Sequence, residues 1–578
     1  MQSFVVSADG TRIAVYEQGD RQRPTLVMAH GWPDSHVLWN GVTGELGERF
    51  HIVRYDNRGA GASDVPKRVA AYRMDQFADD LSAVIEAVSP GAPVHVLAHD
   101  WGSVGVWEYL SRPEAADRVA SFTSVSGPST DHYGSFIRGR LARPYRPIRF
   151  AKAVNLASRF SYWIPFSVPV IAPALMRAGA ARRLQAIDTR GPKFQSDTLD
   201  TDAANGLKIY RANAIRSLTR VRGDHYVTVP VQLICNDHDP VVRGHGYEDE
   251  ARWVPLLWRR DLKAGHWAPF SHWRAIATAT AELIDHIEGA PAARGLRRAQ
   301  VGRQREPFSD TLVSVTGAGS GIGRATALEF AAQGAELVVS DLDEAAAKAT
   351  ADEIAARGGI AHSYQLDVAD ADAVEAFVER VCDTHGVPDV VVNNAGIGHG
   401  GKFLDTPAEQ YDRVLDVNFG GVVNCCRSFA RRLVDRGTGG HIVNVASMAA
   451  YSPSGSMNAY STSKAAVFMF SDCLRAELDS AGVGLTTICP GVIDTNIIDT
   501  THFDLPVEQQ DRAEQVRAAT KKAFAARRYG PDKVAKAIVA AVVKNKAIRP
   551  VTPEAYAAYG ISRLVPSALR RVARSGSL

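Results

Sequence analysis

Short apolar runs that end in polar turns recur along this chain and alternate with segments of helical periodicity. They form two series, one in each half of the chain, separated by a polar stretch. Such alternation predicts parallel β-sheets covered by helices, with ligands bound at the carboxyl ends of the strands. The chain is therefore predicted to contain two α/β units, each with its own site.

The length supports this division, because 578 residues exceed what one hydrophobic core normally holds. The separating stretch GAPAARGLRRAQVGRQREPFSD (289–310) is rich in Gly, Ala and Arg and has no apolar periodicity. The predicted domains are residues 1–290 and 308–578, joined by a linker at 291–307.

Composition argues against several classes of protein. Six cysteines without metal-type or disulfide-type spacing indicate a reducing, cytoplasmic compartment, and no metal site is predicted. The N-terminus lacks a signal-peptide pattern, and no run of about 18 apolar residues predicts a membrane span. A formal net charge of +3 gives no reason to expect a nucleic-acid partner.

The first series contains the strand-like runs TLVMAHG (25–31), HIVRYDNRG (51–59), PVHVLAHD (93–100) and PVQLICND (230–237). Between residues 128 and 229 the alternation gives way to sequence rich in Arg, Pro and aromatic residues. This segment is predicted to form a lid over the first sheet.

Asp100 lies in AHDWGS (98–103), at a predicted strand-to-helix turn where hydrolases place their nucleophile. A carboxylate nucleophile can displace a leaving group at an sp3 carbon and form an ester that water must then cleave. The backbone amides of Trp32, in HGWP (30–33), and of Trp101 are predicted to form the oxyanion hole for that second step.

An acid and a histidine follow the nucleophile in the order found in α/β-hydrolases. NDHDPVV (236–242) offers Asp239, with Asp237 as the competing choice, and AGHW (264–267) offers His266. Held by the acid, His266 is predicted to activate the hydrolytic water.

These motifs make residues 1–288 resemble the epoxide hydrolases and, less closely, the haloalkane dehalogenases. The resemblance implies an α/β-hydrolase fold with a helical lid whose tyrosines hydrogen-bond the epoxide oxygen, giving a vicinal diol. GLKIYRANAI (206–215) and SYWIPFSVP (161–169) indicate Tyr210 and Tyr162, although Trp163 offers a shifted alignment for the second. A dehalogenase would instead use indole or amide donors around a halide.

The second series begins with a strand followed by TGAGSGIG (316–323), where glycines allow a pyrophosphate to approach backbone amides at a helix N-terminus. Asp341 ends the next predicted strand, where a carboxylate accepts hydrogen bonds from ribose hydroxyls and repels a ribose phosphate. NAD is therefore favoured, with NADP the second choice because Arg324 is near in sequence.

Tyr460 and Lys464, in YSTSK, lie four residues apart on one helix face, with Ser447 thirteen residues upstream of the tyrosine. A nearby ammonium favours a phenolate, so Lys464 is expected to lower the pKa of Tyr460 for acid-base chemistry. Ser447 is predicted to hold the substrate oxygen.

Together with NNAG (393–396) and Asn418, these residues make about 308–550 resemble the short-chain dehydrogenases and reductases. The resemblance implies a Rossmann-type doubly wound parallel sheet, hydride transfer between NAD(P) and a secondary alcohol or ketone, a proton relay at Asn418, and homo-oligomers formed through this domain. The implied cofactor contacts are Gly317, Ser320, Gly321, Ile322, Gly323, Asp341, Asp367, Val368, Asn394, Ala395, Gly396, Tyr460, Lys464, Pro490, Gly491 and Thr495.

The whole chain resembles fused epoxide hydrolase and short-chain dehydrogenase proteins of mycobacteria and related actinobacteria, which implies a role in lipid metabolism. The apolar stretch WIPFSVPVIAPALM (163–176) and the basic segments 136–152 and 562–574 predict lipid-like substrates and peripheral membrane contact. A packed lid core with a solvated basic face is the simpler interpretation. The alternatives for the whole chain are a dehalogenase fusion, a reductase with a non-catalytic lipid-binding half, and a scaffold without activity.

Overall fold

The structure is a computed structural model, and it describes residues 2–188, 196–219, 222, 225–495, 497, 501–504, 515, 517–518, 521 and 529–574. The chain divides into two compact units, Met1–Arg303 and Gln304–Leu578. Across the described residues, no helix combines the length and the apolarity that crossing a bilayer requires.

A single mixed sheet forms the centre of the first unit. Its strands are β1 (Gln2–Val6), β2 (Arg12–Gln18), β3 (Thr25–Ala29), β4 (His51–Tyr55), β5 (Val94–His99), β6 (Val119–Val125), β7 (Val231–Asn236) and β8 (Leu257–Leu262). They are arranged in the order β1-β2-β4-β3-β5-β6-β7-β8. Strand β2 pairs antiparallel with β1 and β4, and the remaining pairs are parallel.

Helices cover this sheet and fill the long segment between β6 and β7. They are α1 (Asn40–Leu46), α2 (Met74–Val88), α3 (Asp100–Leu110), α4 (Ala115–Arg118), α5 (Thr130–Leu141), α6 (Pro147–Arg159), α7 (Trp163–Ser167), α8 (Ile171–Arg177), α9 (Ala180–Asp188), α10 (Leu199–Gly206), α11 (Lys208–Thr219), α12 (Ala268–Ser271), α13 (Trp273–Ile287) and α14 (Arg294–Ala299). Helices α5 to α11 occupy the segment for which the sequence predicts a lid.

Alternate residues of the central strands enter different cores. Val27 and Val96 belong to the cluster on one side of the sheet, and Leu26 and Leu97 belong to the cluster on the other. A parallel sheet that is buried on both faces gives continuous apolar runs, which is why these strands are recognisable in the sequence.

The second unit has an all-parallel central sheet and a small two-stranded one. Its strands are β9 (Leu312–Thr316), β10 (Glu336–Asp341), β11 (Ile360–Gln365), β12 (Val390–Asn393), β13 (His399–Gly401), β14 (Gly440–Val445), β15 (Val483–Cys489), β16 (His502–Asp504) and β17 (Ile548–Pro550). The central order is β11-β10-β9-β12-β14-β15-β17, and β13 pairs with β16. The winding direction reverses between β9 and β12, where doubly wound sheets bind ligands.

The described helices of the second unit follow the same alternation. They are α15 (Gly321–Ala332), α16 (Glu344–Ala356), α17 (Ala371–His385), α18 (Ala408–Leu415), α19 (Gly421–Arg436), α20 (Asn458–Leu478), α21 (Pro531–Val543), α22 (Pro553–Leu564) and α23 (Pro566–Arg574). The fold class is therefore the predicted one, an α/β-hydrolase fold with a helical lid followed by a Rossmann-type doubly wound sheet.

The predicted linker at 291–307 is wrong in its first part, because the chain there is still folded onto the first unit. Residues Arg294–Ala299 form α14, and Leu296 is fully buried against Trp258 and Leu283. Leu296 and the small Ala299 are the apolar side chains of this six-residue helix, too few to give a periodic pattern, so the sequence conceals this element.

Substitution of Leu296 by Ala is expected to lower the free energy of unfolding of the first unit by about 2–5 kcal/mol, because it removes a fully buried side chain. Denaturant unfolding of the full chain measures the change. Val301→Ala is the matched control, since Val301 is 38% exposed, and its effect should stay within about 0.5 kcal/mol. Equal effects of the two substitutions would mean that α14 behaves as a linker.

Candidate active sites

The turn between β5 and α3 holds Asp100 in a left-handed backbone conformation, with φ of 47°. This conformation is uncommon for a residue with a side chain and is maintained here by close packing. A Cβ at Gly102 would lie 2.2 Å from the carbonyl oxygen of His30, so only glycine fits two residues after Asp100. The side chain of Asp100 is 15% exposed, which leaves it accessible at the carboxyl end of the sheet.

A backbone donor from the loop after β3 faces this carboxylate. The amide of Trp32 donates to Oδ2 of Asp100 at 2.9 Å. Trp101 is in the first turn of α3, where amide groups have no intrahelical acceptor. Both predicted oxyanion-hole residues therefore lie next to Asp100. Trp32 donates a hydrogen bond to its carboxylate, and Trp101 follows it in the first turn of α3.

His266 lies between two carboxylates. Its Nδ1 is 2.8 Å from Oδ2 of Asp239, and its Nε2 is 3.6 Å from Oδ1 of Asp100. Burial lowers the pKa of His266, but the charges of Asp239 and Asp100 outweigh burial and raise the pKa well above its ordinary value. Asp237, the competing choice, is exposed.

Asp239 is fully buried, and its other carboxylate oxygen accepts the amides of Val241 and Val242 at 2.7 and 2.9 Å. Burial raises the pKa of Asp239, but contact with His266 and these amides outweighs burial and keeps the pKa below its ordinary range. A charged Asp239 fixes the orientation of the imidazole.

The two lid tyrosines indicated by the sequence meet in the structure. Tyr210 lies on α11 and Tyr162 in a 3-10 turn just before α7, with their ring centroids 5.8 Å apart. Burial raises the pKa of both phenols, and Asp100 contributes to both increases. Both therefore remain protonated hydrogen-bond donors at neutral pH, within electrostatic reach of the candidate nucleophile.

Two indole donors surround the same phenols. The Nε1 atoms of Trp101 and Trp163 are buried and make no hydrogen bond of ordinary geometry to any described residue. The two indole rings are 5.6 Å apart, and each packs against Tyr210. This part of the site is rich in donors, which suits a ligand that carries an acceptor atom.

Asp34, which directly follows HGWP, was not predicted as a site residue. Its carboxylate is 4% exposed and accepts the indole N–H of Trp267 at 3.0 Å and the amide of Gln185 at 2.7 Å. Burial raises the pKa of Asp34 to about 7, and the charge of Asp100 contributes to the increase. The only signal in the sequence was its position directly after HGWP.

In the second unit, a cavity of about 1580 Å³ opens at the carboxyl ends of the strands. All the predicted cofactor residues except Gly323 line it, together with Ser447. A Cβ at Gly323 would lie 2.0 Å from the carbonyl oxygen of Gly317, so Gly323 allows α15 to pack closely against the turn instead. At Gly321, with φ of 53°, a side chain would enter the cavity. The bare backbone at the start of α15 thus fits a dinucleotide pyrophosphate.

The carboxylate of Asp341 lies beside this turn and accepts the amide of Gly319 at 2.8 Å. Leu342 and Asp343 follow it along the cavity wall. Arg324 does not line the cavity and is paired with Glu353. The adenosine end of the cavity is therefore acidic among the described residues.

Ser447, Tyr460 and Lys464 meet at the other end of the cavity. Burial raises the pKa of Tyr460, and a hydrogen bond with Ser447 opposes this increase. Lys464 donates to the carbonyl of Val445 at 3.0 Å, and its Nζ is 5.9 Å from the centre of the Tyr460 ring. The prediction that Lys464 lowers the pKa of Tyr460 is therefore not supported by this geometry, because the ammonium donates to the backbone carbonyl of Val445.

Asn418 lies behind the cavity in a π-helical turn, Asp416–Gly420, that joins α18 to α19. Its amide donates to the carbonyl of Ile397 at 3.0 Å and to Ser463 at 3.1 Å, and its oxygen accepts the amide of Ile397 at 2.8 Å. Turns of this type are frequent at functional sites. Gly396 is close to both side chains, because a Cβ at this position would lie 2.8 Å from Oδ1 of Asn418 and 3.4 Å from Nζ of Lys464. Asn418 and Lys464 therefore lie near each other.

Substitution of Lys464 by Met is expected to stabilise the second unit at neutral pH. Burial lowers the pKa of Lys464 from 10.5 to about 8, so folding disfavours the charged form. The penalty is fully present below pH 8 and disappears as the pH rises to the pKa of the unfolded chain. The gain at pH 7 is at most about 3 kcal/mol.

Thermal unfolding of both proteins at pH 7 and pH 10 tests this expectation, and the difference should shrink at the higher pH. Lys544→Met is the matched control, because Lys544 is exposed. A difference that is the same at both pH values would contradict the assignment of the penalty to the buried ammonium.

Comparison with known proteins agrees with this geometry. Residues 24–272 match the family model described as alpha/beta hydrolase fold, and residues 311–504 match the model described as short chain dehydrogenase. The probable oxidoreductase EphD of Mycobacterium tuberculosis is 62% identical over 582 residues, covering 99% of this chain and 98% of that protein.

Two further matches concern the second unit. The short-chain reductase protein NovJ of Streptomyces niveus is 36% identical, covering 40% of this chain and 86% of that protein. The structure of a short-chain dehydrogenase/reductase from Burkholderia phymatum in complex with NAD is 29% identical, with a TM-score of 0.42, and covers 46% of this chain and 96% of that one. The chain belongs to the family of the EphD proteins and is an enzyme with a hydrolase domain followed by a nicotinamide-dependent short-chain dehydrogenase domain.

Proposed function

We propose that the first unit hydrolyses epoxides to vicinal diols and that the second oxidises secondary alcohols or reduces ketones with NAD. The hydrolase proposal rests chiefly on one arrangement. Asp100 faces the His266–Asp239 pair on one side and is within electrostatic reach of the protonated phenols of Tyr162 and Tyr210 on the other. An epoxide needs both a nucleophile at carbon and a donor at oxygen.

In the first step, a carboxylate oxygen of Asp100 attacks a ring carbon, and the carbon–oxygen bond of the epoxide breaks. Tyr162 and Tyr210 hold the departing oxygen, and one phenol supplies its proton. Because burial raises the pKa of both phenols, each keeps its proton until the ring oxygen becomes strongly basic.

In the second step, His266 takes a proton from water, and the resulting hydroxide attacks the ester carbonyl of Asp100. The acyl carbon–oxygen bond of the ester then breaks and releases the diol, whose new hydroxyl takes the second proton of the water. The proton taken by His266 returns to the phenolate left by the first step. Ester formation removes the negative charge of Asp100, one of the groups that raise the pKa of His266. The imidazole therefore becomes available as a base in the step that needs it. The amide of Trp32, which donates to Asp100, would stabilise the oxyanion that forms at that oxygen.

A haloalkane dehalogenase is the second candidate, because the indole N–H groups of Trp101 and Trp163 are buried in this site beside the phenols of Tyr210 and Tyr162. Two such donors suit a departing halide. The phenols favour an epoxide, since an alkoxide must be protonated whereas a halide leaves as an anion. Both reactions use Asp100 as the nucleophile, and they differ in the group that leaves the attacked carbon, an alkoxide oxygen or a halide.

Replacing His266 by Gln is expected to stop turnover and leave the ester on Asp100. Hydrolysis of styrene oxide should fall by about 10³-fold or more. Intact-protein mass spectrometry should then detect an adduct with the full mass of the epoxide, and peptide mapping should locate it on Asp100. A haloalkane would instead add only its alkyl group and release halide.

Two controls accompany this experiment. Asp100→Asn in the same protein should abolish the adduct, and Asp237→Asn should leave hydrolysis close to that of the unmodified enzyme. An adduct at another residue, or turnover without an adduct in rapid-quench samples, would contradict the aspartyl-ester route. If neither substrate class reacts while the second unit is active, the non-catalytic lipid-binding alternative gains support.

For the second unit, the proposed acid and base is Tyr460, which gives or takes the proton at the substrate oxygen. Ser447, hydrogen-bonded to Tyr460, would hold the same oxygen. Lys464 would carry a positive charge at neutral pH, since its pKa is lowered only to about 8. The nicotinamide dinucleotide, when bound, supplies the hydride acceptor or donor.

Preference for NAD over NADP follows from Asp341, with no described cation beside it on the cavity wall. Asp341→Asn is expected to lower kcat/KM with NAD by about tenfold or more, since it removes a charged acceptor, and to improve kcat/KM with NADP. Steady-state oxidation of 1-phenyl-1,2-ethanediol with each cofactor provides the comparison. Asp343→Asn is the matched control and should change neither value appreciably. Higher activity of the unmodified enzyme with NADP would reverse the assignment.

Self-association through the second unit and contact with a membrane are further predictions. Light scattering of the full chain gives its mass in solution and so tests the first.

A further inference from the structure

The lid helices α7 and α8 are apolar on two opposite faces. Trp163 of α7 and Ala172 and Met176 of α8 pack inward, in the cluster that contains Trp32 and Tyr210. A helix of a globular protein normally has one apolar face, and a helix that is apolar all round is expected to be covered on all sides. The outer face of these helices therefore needs an explanation.

That outer face is exposed. Ile164 is 73% exposed, Val170 80%, Ile171 63% and Leu175 57%. Ile187, at the end of α9, is 85% exposed. Clustered exposed aliphatic side chains of this kind mark an interaction surface, whereas single ones need no explanation.

The charge along this face is mainly positive, although Asp188 ends α9 and Asp200 pairs with Arg182. From residue 136 to residue 187 the sequence contains no Asp or Glu but ten Lys and Arg residues. Some of them are paired with acids elsewhere, such as Arg140 with Asp249 and Lys152 with Glu248. Within the part of the chain that the structure describes, Arg177 and Arg183 form no ion pair.

Lys208, whose ammonium donates to the carbonyl of Pro66 at 2.8 Å, gives a second indication of concentrated positive charge. Burial lowers the pKa of Lys208, and the neighbouring cations Arg211 and Arg177 lower the pKa further. Lys208 and Arg211 of α11 are thus within electrostatic reach of cationic neighbours that include Arg177 at the end of α8, and a group of cations of this kind is stabilised by an anionic partner. Aliphatic side chains bordered by arginines match the boundary between the headgroups and acyl chains of an anionic membrane.

We propose that the outer face of α7, α8 and α9 docks on an anionic lipid surface and that the hydrolase site takes its epoxide from that surface. The inference rests on the proposed function of Asp100 and deepens it by naming a lipid epoxide as the substrate class. Only the thickness of the lid helices, about 10–12 Å each, separates the docking face from the aromatic cluster around Tyr210. Apolar side chains therefore continue from the docking face through α7 and α8 to the aromatic cluster.

The test uses the full chain and co-sedimentation with vesicles of phosphatidylglycerol or of phosphatidylcholine. The protein should bind the anionic vesicles at low salt and lose most of this binding at about 0.5 M salt. Ile171→Gln with Leu175→Gln should weaken binding at least about tenfold by removing apolar contacts. Arg177→Glu with Arg183→Glu should weaken it by a similar factor or more.

The matched control is Leu564→Gln with Val565→Gln, in the basic C-terminal segment of the second unit, where these residues are 83% and 53% exposed. This variant should bind like the unmodified protein. Docking by the lid is overturned if the control variant alone loses binding, if both vesicle types bind equally, or if no vesicle binds.

Hydrolysis of soluble styrene oxide, measured on the same samples, separates this inference from the proposed function. The lid-surface variants should keep that activity and lose at least about tenfold in kcat/KM only for a long-chain epoxide embedded in anionic vesicles. Salt-sensitive vesicle binding without hydrolysis of either epoxide would contradict the epoxide hydrolase function and leave the docking surface standing.

Discussion

A left-handed backbone at Asp100 is the constraint on which the hydrolase site depends. With φ of 47°, the chain reverses sharply from β5 into α3 and lifts the carboxylate above the sheet. A conformation of this kind costs about 1–3 kcal/mol, and it persists only when the surrounding structure holds it. The buried strand before it and Gly102 packed against the His30 carbonyl after it provide that support.

The same sheet edge then assembles the partners of Asp100. Trp32 follows β3, Asp239 follows β7 and His266 follows β8, so residues far apart in sequence meet because parallel strands end on one side. In the second unit, the turn after β9, Asp341 at the end of β10, and Ser447 after β14 meet by the same rule. The two chemistries thus depend on one architectural principle applied twice.

Much of this was accessible from the sequence, because central parallel strands are continuous apolar runs and the site residues end them. In the first sheet, β1, β2, β6 and β8 were not predicted. Strand β1 lies at the edge of the sheet and is mostly exposed, so it lacks such a run. Leu296 and Asp34 were missed for a different reason. Each acts through contacts with residues more than ten positions away, which no local pattern encodes. The pKa of Tyr460 also depended on where Lys464 points, and spacing alone does not specify that direction.

The basic and apolar character of the lid segment was visible in the sequence. Which of its apolar residues face inward and which face outward was not. Periodicity fails in α7 and α8 because apolar residues occupy both faces. Only the exposed fractions distinguish Ile171 and Leu175 from Ala172 and Met176. A packed apolar core and an exposed apolar surface are both present in the same two helices.

The two proposed reactions are chemically consecutive. Opening an epoxide in which one ring carbon bears a single substituent gives a diol with a secondary alcohol at that carbon. Loss of a hydride from the carbon and of a proton from its hydroxyl then gives a hydroxyketone. The product of the first unit therefore belongs to the substrate class of the second, and the reverse order would not work, because a hydroxyketone contains no strained ring for Asp100 to open. Joining both units in one chain fixes their ratio at one to one, so the capacity to consume the diol is always made together with the capacity to form it.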